Sequence, residues 1–175
     1  LTFRMLRNSG RRIDRLMPFV DATLADGSRL HVAIPDVTAA HWSINIRKFR
    51  KQFKRLSSLV ASQMLSETEA NFLSMQVKAG KSFLISGATQ AGKTTFLNAL
   101  LNELDESTRL ITCEESFEIS CELRDWVALQ ARQPNLEGQG EIALRRLVKE
   151  SLRMRPERLV IGEVREAEAF DLLIA

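Results

Sequence analysis

Eight consecutive residues, Gly87 to Thr94, read "GATQAGKT" and fit the pattern G-x-x-x-x-G-K-[ST]. Residue types at this spacing suit one task, which is holding phosphate. The N–H groups of a glycine-rich turn converge on phosphate oxygens, and a helix starting there adds partial positive charge. Gly87 and Gly92 allow tight turns and close approach, while Ala88, Thr89, Gln90 and Ala91 supply the intervening backbone. Lys93 is expected at the β- and γ-phosphates of a nucleotide, Thr94 on Mg²⁺ and Thr95 near the α-phosphate.

Hydrolysis would also need carboxylates near the metal and the attacking water. Two acidic positions end apolar runs: Glu163 closes "RLVIGE", and Glu114, Glu115 and Glu118 follow "RLITC". Ligands of open α/β sheets bind at such strand tips. Either Glu114 or Glu163 can support a Mg²⁺-bound water or orient the nucleophile. A lone glutamate here would read as solvated surface; the pair beside a phosphate loop points to hydrolysis.

The elements that must position these groups are legible in outline. "SFLIS" reads as a short apolar strand entering the loop, and "TTFLNALLNEL" as a helix with Leu97, Leu100, Leu101 and Leu104 on one stripe. Ser66 followed by acidic residues, with Gly80 as a stop, predicts a helix over "SETEANFLSMQVKAG". "RLITCE", "WVALQA" and "RLVIGE" predict strands. "EIALRRLVKESL" predicts a helix with Leu144, Leu147, Val148, Ser151 and Leu152 inward, and Pro156 blocks its continuation. Strands alternating with helices from residue 82 onward argue for an α/β fold, a parallel sheet covered by helices.

The first portion has a different pattern. "VDATL" and "RLHVAI" alternate around the turn pair Asp26-Gly27 and predict a hairpin. Leu30, Val32 and Ile34 share one face of its second strand, with Arg29 and His31 on the other. "WSINIRKF" predicts a further strand with Arg47 near its end. Residues 1–60 hold 12 Lys/Arg against 4 Asp/Glu, a net +8, while residues 61–175 hold 13 against 18, a net −5. That break predicts two domains, 1–60 and 61–175, with the basic run Arg47 to Arg55 as a linker or solvated helix face.

No run approaches 18 apolar residues, and no secretory signal opens the chain. Cys113 and Cys121 lack the partners for a zinc site or a disulfide framework, so reduced thiols in a reducing compartment are expected.

Taken in order, these residues resemble the ATPases of the type II/type IV secretion superfamily, the GspE/PilT-like motors. Within it the chain most resembles the CpaF-type motors of tight-adherence pili. The family's aspartate box, T-x-E-D-x-x-E, is matched by "TCEESFE", with Glu115 in place of the aspartate. Its Walker B motif is matched by "LVIGEVR". The stretch "RQPNLEGQGEIALRRLVKESLRMRPERLVIGEVREAEAFDLL" is the most specific to this branch, and the resemblance covers essentially the whole chain.

The resemblance implies a RecA-like P-loop NTPase domain with helices on both sheet faces, preceded by a small β-rich, PAS-like α+β module. It implies ATP hydrolysis with Mg²⁺, Glu163 as the Walker B glutamate and Glu114 as the first acid of the box, with Thr94 on the metal. It implies that Arg29 and Arg47 reach the γ-phosphate from the first domain. Glu115, Glu118, Arg132, Arg153, Arg155 and Arg165 match accessory positions. The expected assembly is a homo-hexameric ring at the cytoplasmic face of the inner membrane, working on a platform protein, with no sequence-specific nucleic acid. The family carries a histidine-containing motif and a helical region after Walker B, whereas the only histidines here are His31 and His41, so a fragment lacking the C-terminal part is expected.

Two other classes remain compatible with the loop. A nucleic-acid translocase would use a similar core, and the basic first half fits one, but no aromatic-interleaved basic groove is present. A nucleotide-gated interaction protein would bind and hydrolyse poorly.

Overall fold

The computed structural model describes residues 2–6, 12–48, 55–132, 134–135 and 139–164. The chain divides into two compact units, Leu1–Lys51 and Gln52–Ala175. The basic run between Arg47 and Arg55 falls outside the described residues except at its ends.

In the first unit a short helix, α1 (Thr2–Leu6), accompanies an antiparallel sheet of β1 (Phe19–Thr23), β2 (Arg29–Ala33) and β3 (Ser43–Arg47), with β2 central. The expected hairpin is present. Its turn places Gly27 at φ 82°, a left-handed conformation that glycine adopts without steric penalty. The Asp26 carboxylate holds the turn, accepting from the backbone N–H and the hydroxyl of Ser28, each at 2.9 Å. Leu30, Val32 and Ile34 are buried with Leu6, Ile13 and Val20, as the alternation predicted. Ile46 and Ile44 of β3 stand opposite Leu30 and Val32.

The second unit opens with α2 (Leu56–Ala61), whose Leu56 and Leu59 pack with α3 (Glu67–Lys78) and α4 (Lys93–Leu101). The start of α3 is a capping box: Ser66 Oγ accepts from Glu69 N at 3.2 Å, and Glu69 Oε2 accepts from Ser66 N at 2.8 Å. Gly80, at φ 78°, follows its end.

The second sheet contains β4 (Leu110–Glu114) flanked by β5 (Trp126–Gln130) and β6 (Arg158–Ile161), all parallel. Both faces are covered, as expected. Cys113, Leu129, Leu159 and Ile161 pack against Leu144, Leu147 and Val148 of α5 (Leu144–Ser151). On the opposite face Leu110, Trp126 and Val160 pack with Leu97 and Leu101 of α4. Arg109 ties the lower end together, donating from Nε to the Met154 carbonyl at 2.8 Å and from Nη1 to Asp125 Oδ1 at 2.6 Å.

Three expectations need correction. The α4 leucines do not form one stripe, since Leu100 packs with α2 and α3 while Leu97 and Leu101 pack against the sheet. "SFLIS" is not a strand: residues 81–88 lie outside the ladders, and Leu84 is 90% exposed. Both edges of β4 are taken by β5 and β6, so this segment has no place beside the central strand. Only Ile85 reaches the α2–α3–α4 core. Leu152 is also not inward. It is 45% exposed because α5 tightens at Leu152–Met154 into a 3₁₀ turn, which rotates the residue off the buried stripe.

The two leucines give a direct check. Leu110→Ala, at a fully buried position, is expected to lower unfolding free energy by about 2–5 kcal/mol. Leu84→Ala is expected to change it by less than about 0.5 kcal/mol. Urea denaturation of the two variants measures both, and a large loss at Leu84 would place "SFLIS" in the core after all.

Candidate functional site

The glycine-rich loop of residues 87–92 leads into the N-terminus of α4, with Gly92 as the residue before the helix. Gly92 has φ 88° and Gln90 has φ 64°, so two of its residues are left-handed. Glycine adopts this at no steric cost; glutamine does not, and such local strain is often held at functional sites. The side chain of Lys93 folds back over the loop, its Nζ donating to the carbonyls of Gly87 and Ala88, both at 2.8 Å. The ammonium therefore stands over the centre of the turn. A phosphate arriving there would compete with two neutral carbonyls for it, a contest that charge favours.

Thr94, one residue into α4, donates from Oγ1 to Glu118 Oε2 at 3.2 Å. This bond links the loop to the acidic cluster through Glu118. Glu114 lies behind it, at the tip of β4 and 2% exposed. Its Oε2 accepts from the backbone N–H of Glu118 at 2.7 Å and of Ile119 at 2.8 Å. Buried carboxylates require such partners, and charge-assisted bonds to backbone amides are among the stronger ones. The main chain of Glu114 is also engaged, its carbonyl accepting from Ala131 N at 2.8 Å. Glu115, beside it, accepts at its carbonyl from Gln130 Nε2 at 3.4 Å.

Glu163 follows β6 by two residues and is half-buried. Gly162 connects it to the cluster: its N–H donates to the Cys113 carbonyl at 2.9 Å. A Cβ at position 162 would lie a tight 3.1 Å from Glu114 Cγ, so the tip of β6 runs close against the Glu114 side chain. The adjoining Cys113 thiol is pushed up to about 11, chiefly by burial, with the Glu114 charge adding to it and a Ser151 hydrogen bond opposing. It stays protonated at neutral pH. Cys113 and Cys121 are both free thiols, as the sequence predicted.

Arg29 and Arg47, singled out for the γ-phosphate, are direct cross-strand partners on β2 and β3. The pairing puts both on the face opposite Leu30 and Val32, where Asp21 and His31 also meet, 2.8 Å apart. Among the accessory arginines, Arg132 closes the loop after β5 by donating from Nε to the Gly140 carbonyl at 2.7 Å. Arg153 meets Glu150 at 3.3 Å, Arg155 has φ 54°, and Arg165 lies outside the described residues.

Sequence reasoning missed Asn98, one turn beyond Thr94 on α4, and Asn102, the residue that closes the helix one turn further. Asn98 Oδ1 accepts from Ser120 N at 3.0 Å, and Asn102 Oδ1 accepts from Glu122 N at 2.9 Å. Thr94, Asn98 and Asn102 form a polar stripe at intervals of four. Attention to the leucine stripe alone hides it.

A sequence model of the family described as "Type II/IV secretion system protein" matches residues 4–175. The chain belongs to that family. Relatives include a putative conjugal transfer protein of Mycobacterium tuberculosis, 37% identical over 100% of this chain and 51% of its own length. Another is the type IV secretion system protein PtlH of Bordetella pertussis, 30% identical over 90% of this chain and 53% of its own. The chain spans about half the length of the curated relatives it matches. Among solved structures it is similar to the VirB11 ATPase from the Brucella suis type IV secretion system in complex with sulphate. That likeness has a TM-score of 0.51 at 23% identity and covers 99% of this chain and 56% of the other. It bears out the α/β fold expected from the motifs.

The two loop glycines separate strain from space. Gly92→Ala is expected to lose about 1–2 kcal/mol, because alanine resists a left-handed φ. Gly87→Ala, whose added Cβ would meet Ala91 Cβ at an ordinary 3.5 Å, is expected to lose less. Thermal unfolding without nucleotide compares them, and equal losses would contradict the loop geometry.

Proposed function

We propose that the chain is the nucleotide-binding part of an ATP-hydrolysing motor subunit that powers protein secretion or pilus assembly at the cytoplasmic face of a membrane machine. The observation that carries this reading is the grouping at the start of α4. The Lys93 ammonium lies over the left-handed loop, and Thr94 Oγ1 lies 3.2 Å from a carboxylate. Family membership and relatives named for conjugal transfer and type IV secretion support the same class. The bound sulphate named for the Brucella protein is in keeping with an anion site in this fold.

The residues present fit ATP with Mg²⁺. Mg²⁺ takes oxygen ligands and usually keeps several waters, using one or two protein groups with the phosphates. Thr94 offers a hydroxyl whose proton already goes to Glu118, which leaves its lone pairs for a cation. When bound, the metal would neutralise charge developing on the phosphates. Lys93 would leave the Gly87 and Ala88 carbonyls for the β- and γ-phosphates. Glu163, the more accessible of the two strand-tip acids, is assigned to the attacking water. Glu114, committed to two backbone amides, is assigned to supporting that site. Arg29 and Arg47 are assigned to the γ-phosphate, so that nucleotide state would be felt by the first unit. A homo-hexameric ring and an inner-membrane platform partner complete the proposal. Among the described residues no helix is long and apolar enough to cross a membrane.

Two substitutions test the reading by equilibrium binding and steady-state phosphate release. Lys93→Ala is expected to abolish detectable ATP binding, and a variant that binds as well as the parent would sink the phosphate-loop assignment. Glu163→Gln is expected to keep ATP binding and lose about 10²–10⁴-fold in turnover. Unchanged turnover would remove Glu163 from the chemistry.

A further inference from the structure

We propose that Asn98 and Asn102 are positioning residues that hold residues 118–122 in register along α4, and thereby set the Glu118 carboxylate against Thr94. The inference rests on the phosphate-site reading above and adds to it the means by which the metal-side carboxylate is placed.

The contacts follow a shared period. Along α4, Thr94, Asn98 and Asn102 are four residues apart; along the facing segment, Glu118, Ser120 and Glu122 are two apart. Thr94 Oγ1 donates to the Glu118 carboxylate at 3.2 Å. Asn98 takes the next step from both its ends, donating from Nδ2 to the Glu118 carbonyl at 3.4 Å and accepting at Oδ1 from Ser120 N at 3.0 Å. Asn102 Oδ1 then accepts from Glu122 N at 2.9 Å. Asn102 Nδ2 also donates to the Asn98 carbonyl at 3.0 Å, one turn back, which fixes its own orientation.

This matching has a geometric basis. Four residues of α-helix rise about 6 Å. Two residues of extended chain span about 6.6 Å, so the two repeats stay in step over three contacts. The alternate residues confirm that the segment is extended. Ile119, Cys121 and Leu123 enter the apolar cluster formed with Leu97, Leu101 and Leu104, while the even-numbered residues make the polar contacts. One face of the segment is thus packed and the other is hydrogen-bonded to the same helix.

The consequence concerns reach. Glu118 is on a loop, and a loop carboxylate opposite Thr94 has many alternative positions. Glu114 holds the near end of the loop through the amides of Glu118 and Ile119. Asn98 holds the far side of the same residue. With both in place, α4 carries the phosphate loop at its start and the Glu118 carboxylate along its flank as one body.

The experiment is a titration of the purified chain with ADP, with and without Mg²⁺, for the parent and for Asn98→Ala, Asn98→Asp, Glu118→Gln and Asn98→Ala/Glu118→Gln. The parent is expected to bind ADP more tightly with Mg²⁺. Asn98→Ala should lose about 10-fold of that Mg²⁺-dependent gain, the size typical of removing an outer support of a metal ligand, with Mg²⁺-free affinity unchanged. Asn98→Asp, which keeps the acceptor for Ser120 N but loses the donor to the Glu118 carbonyl, should recover only part of it. The double variant should lose no more than Glu118→Gln alone. An undiminished Mg²⁺ gain in Asn98→Ala, an equal loss without Mg²⁺, or additive losses in the double variant would each overturn the proposal. A parent chain that binds no ADP in either condition would instead overturn the phosphate-site reading, and this inference with it.

Discussion

A carboxylate buried to 2% exposure at the end of a parallel strand is the constraint on which the site depends. An uncompensated charge in such a place costs several kcal/mol. Glu114 meets this requirement at its Oε2, which draws the amides of Glu118 and Ile119 onto it. That demand bends residues 115–119 back over the tip of β4. The bend brings Glu118 to Thr94 and starts residues 118–122 along α4. Gly162 belongs to the same constraint, since a Cβ there would lie a tight 3.1 Å from Glu114 Cγ.

Helix α4 therefore serves three surfaces. Its Ala99 and Leu100 pack toward α2 and α3, its Leu97 and Leu101 pack toward the sheet, and its polar stripe engages the acidic segment. A helix covered on so many sides has little freedom to shift without its neighbours. Phosphate bound at its first turn would be felt at once in the segment that carries Glu118. In the first unit, Arg29 and Arg47 face each other across β2 and β3 on one sheet face.

Much of this was legible because short-range chemistry decides it. The Asp26-Gly27 turn, the Ser66–Glu69 box and the inward stripe of α5 each follow from residues within a few positions of one another. Lys93 and Thr94 were legible because their motif fixes backbone and side chain together. The paired register of Arg29 and Arg47 lies one step beyond the hairpin pattern. The missed features depend on tertiary closure. "SFLIS" has the composition of a strand but lies outside the described ladders, contributing Ile85 to the helical core instead. Glu118 was legible only as an accessory acid of its cluster, because its approach to Thr94 depends on the tertiary path of the segment that Glu114 holds. Leu152 left its stripe when the helical period tightened from 3.6 to 3.0 residues per turn.

The central claim is that the phosphate loop and the acidic segment form one ligand-responsive site on α4. Amide hydrogen exchange of the chain with and without ADP and Mg²⁺ tests it most directly. The account predicts that residues 87–95 and 118–122 gain protection together, while α5 and β5 change little. Protection of the loop with no change in 118–122, or no ligand-dependent protection of 87–95 at all, would contradict it.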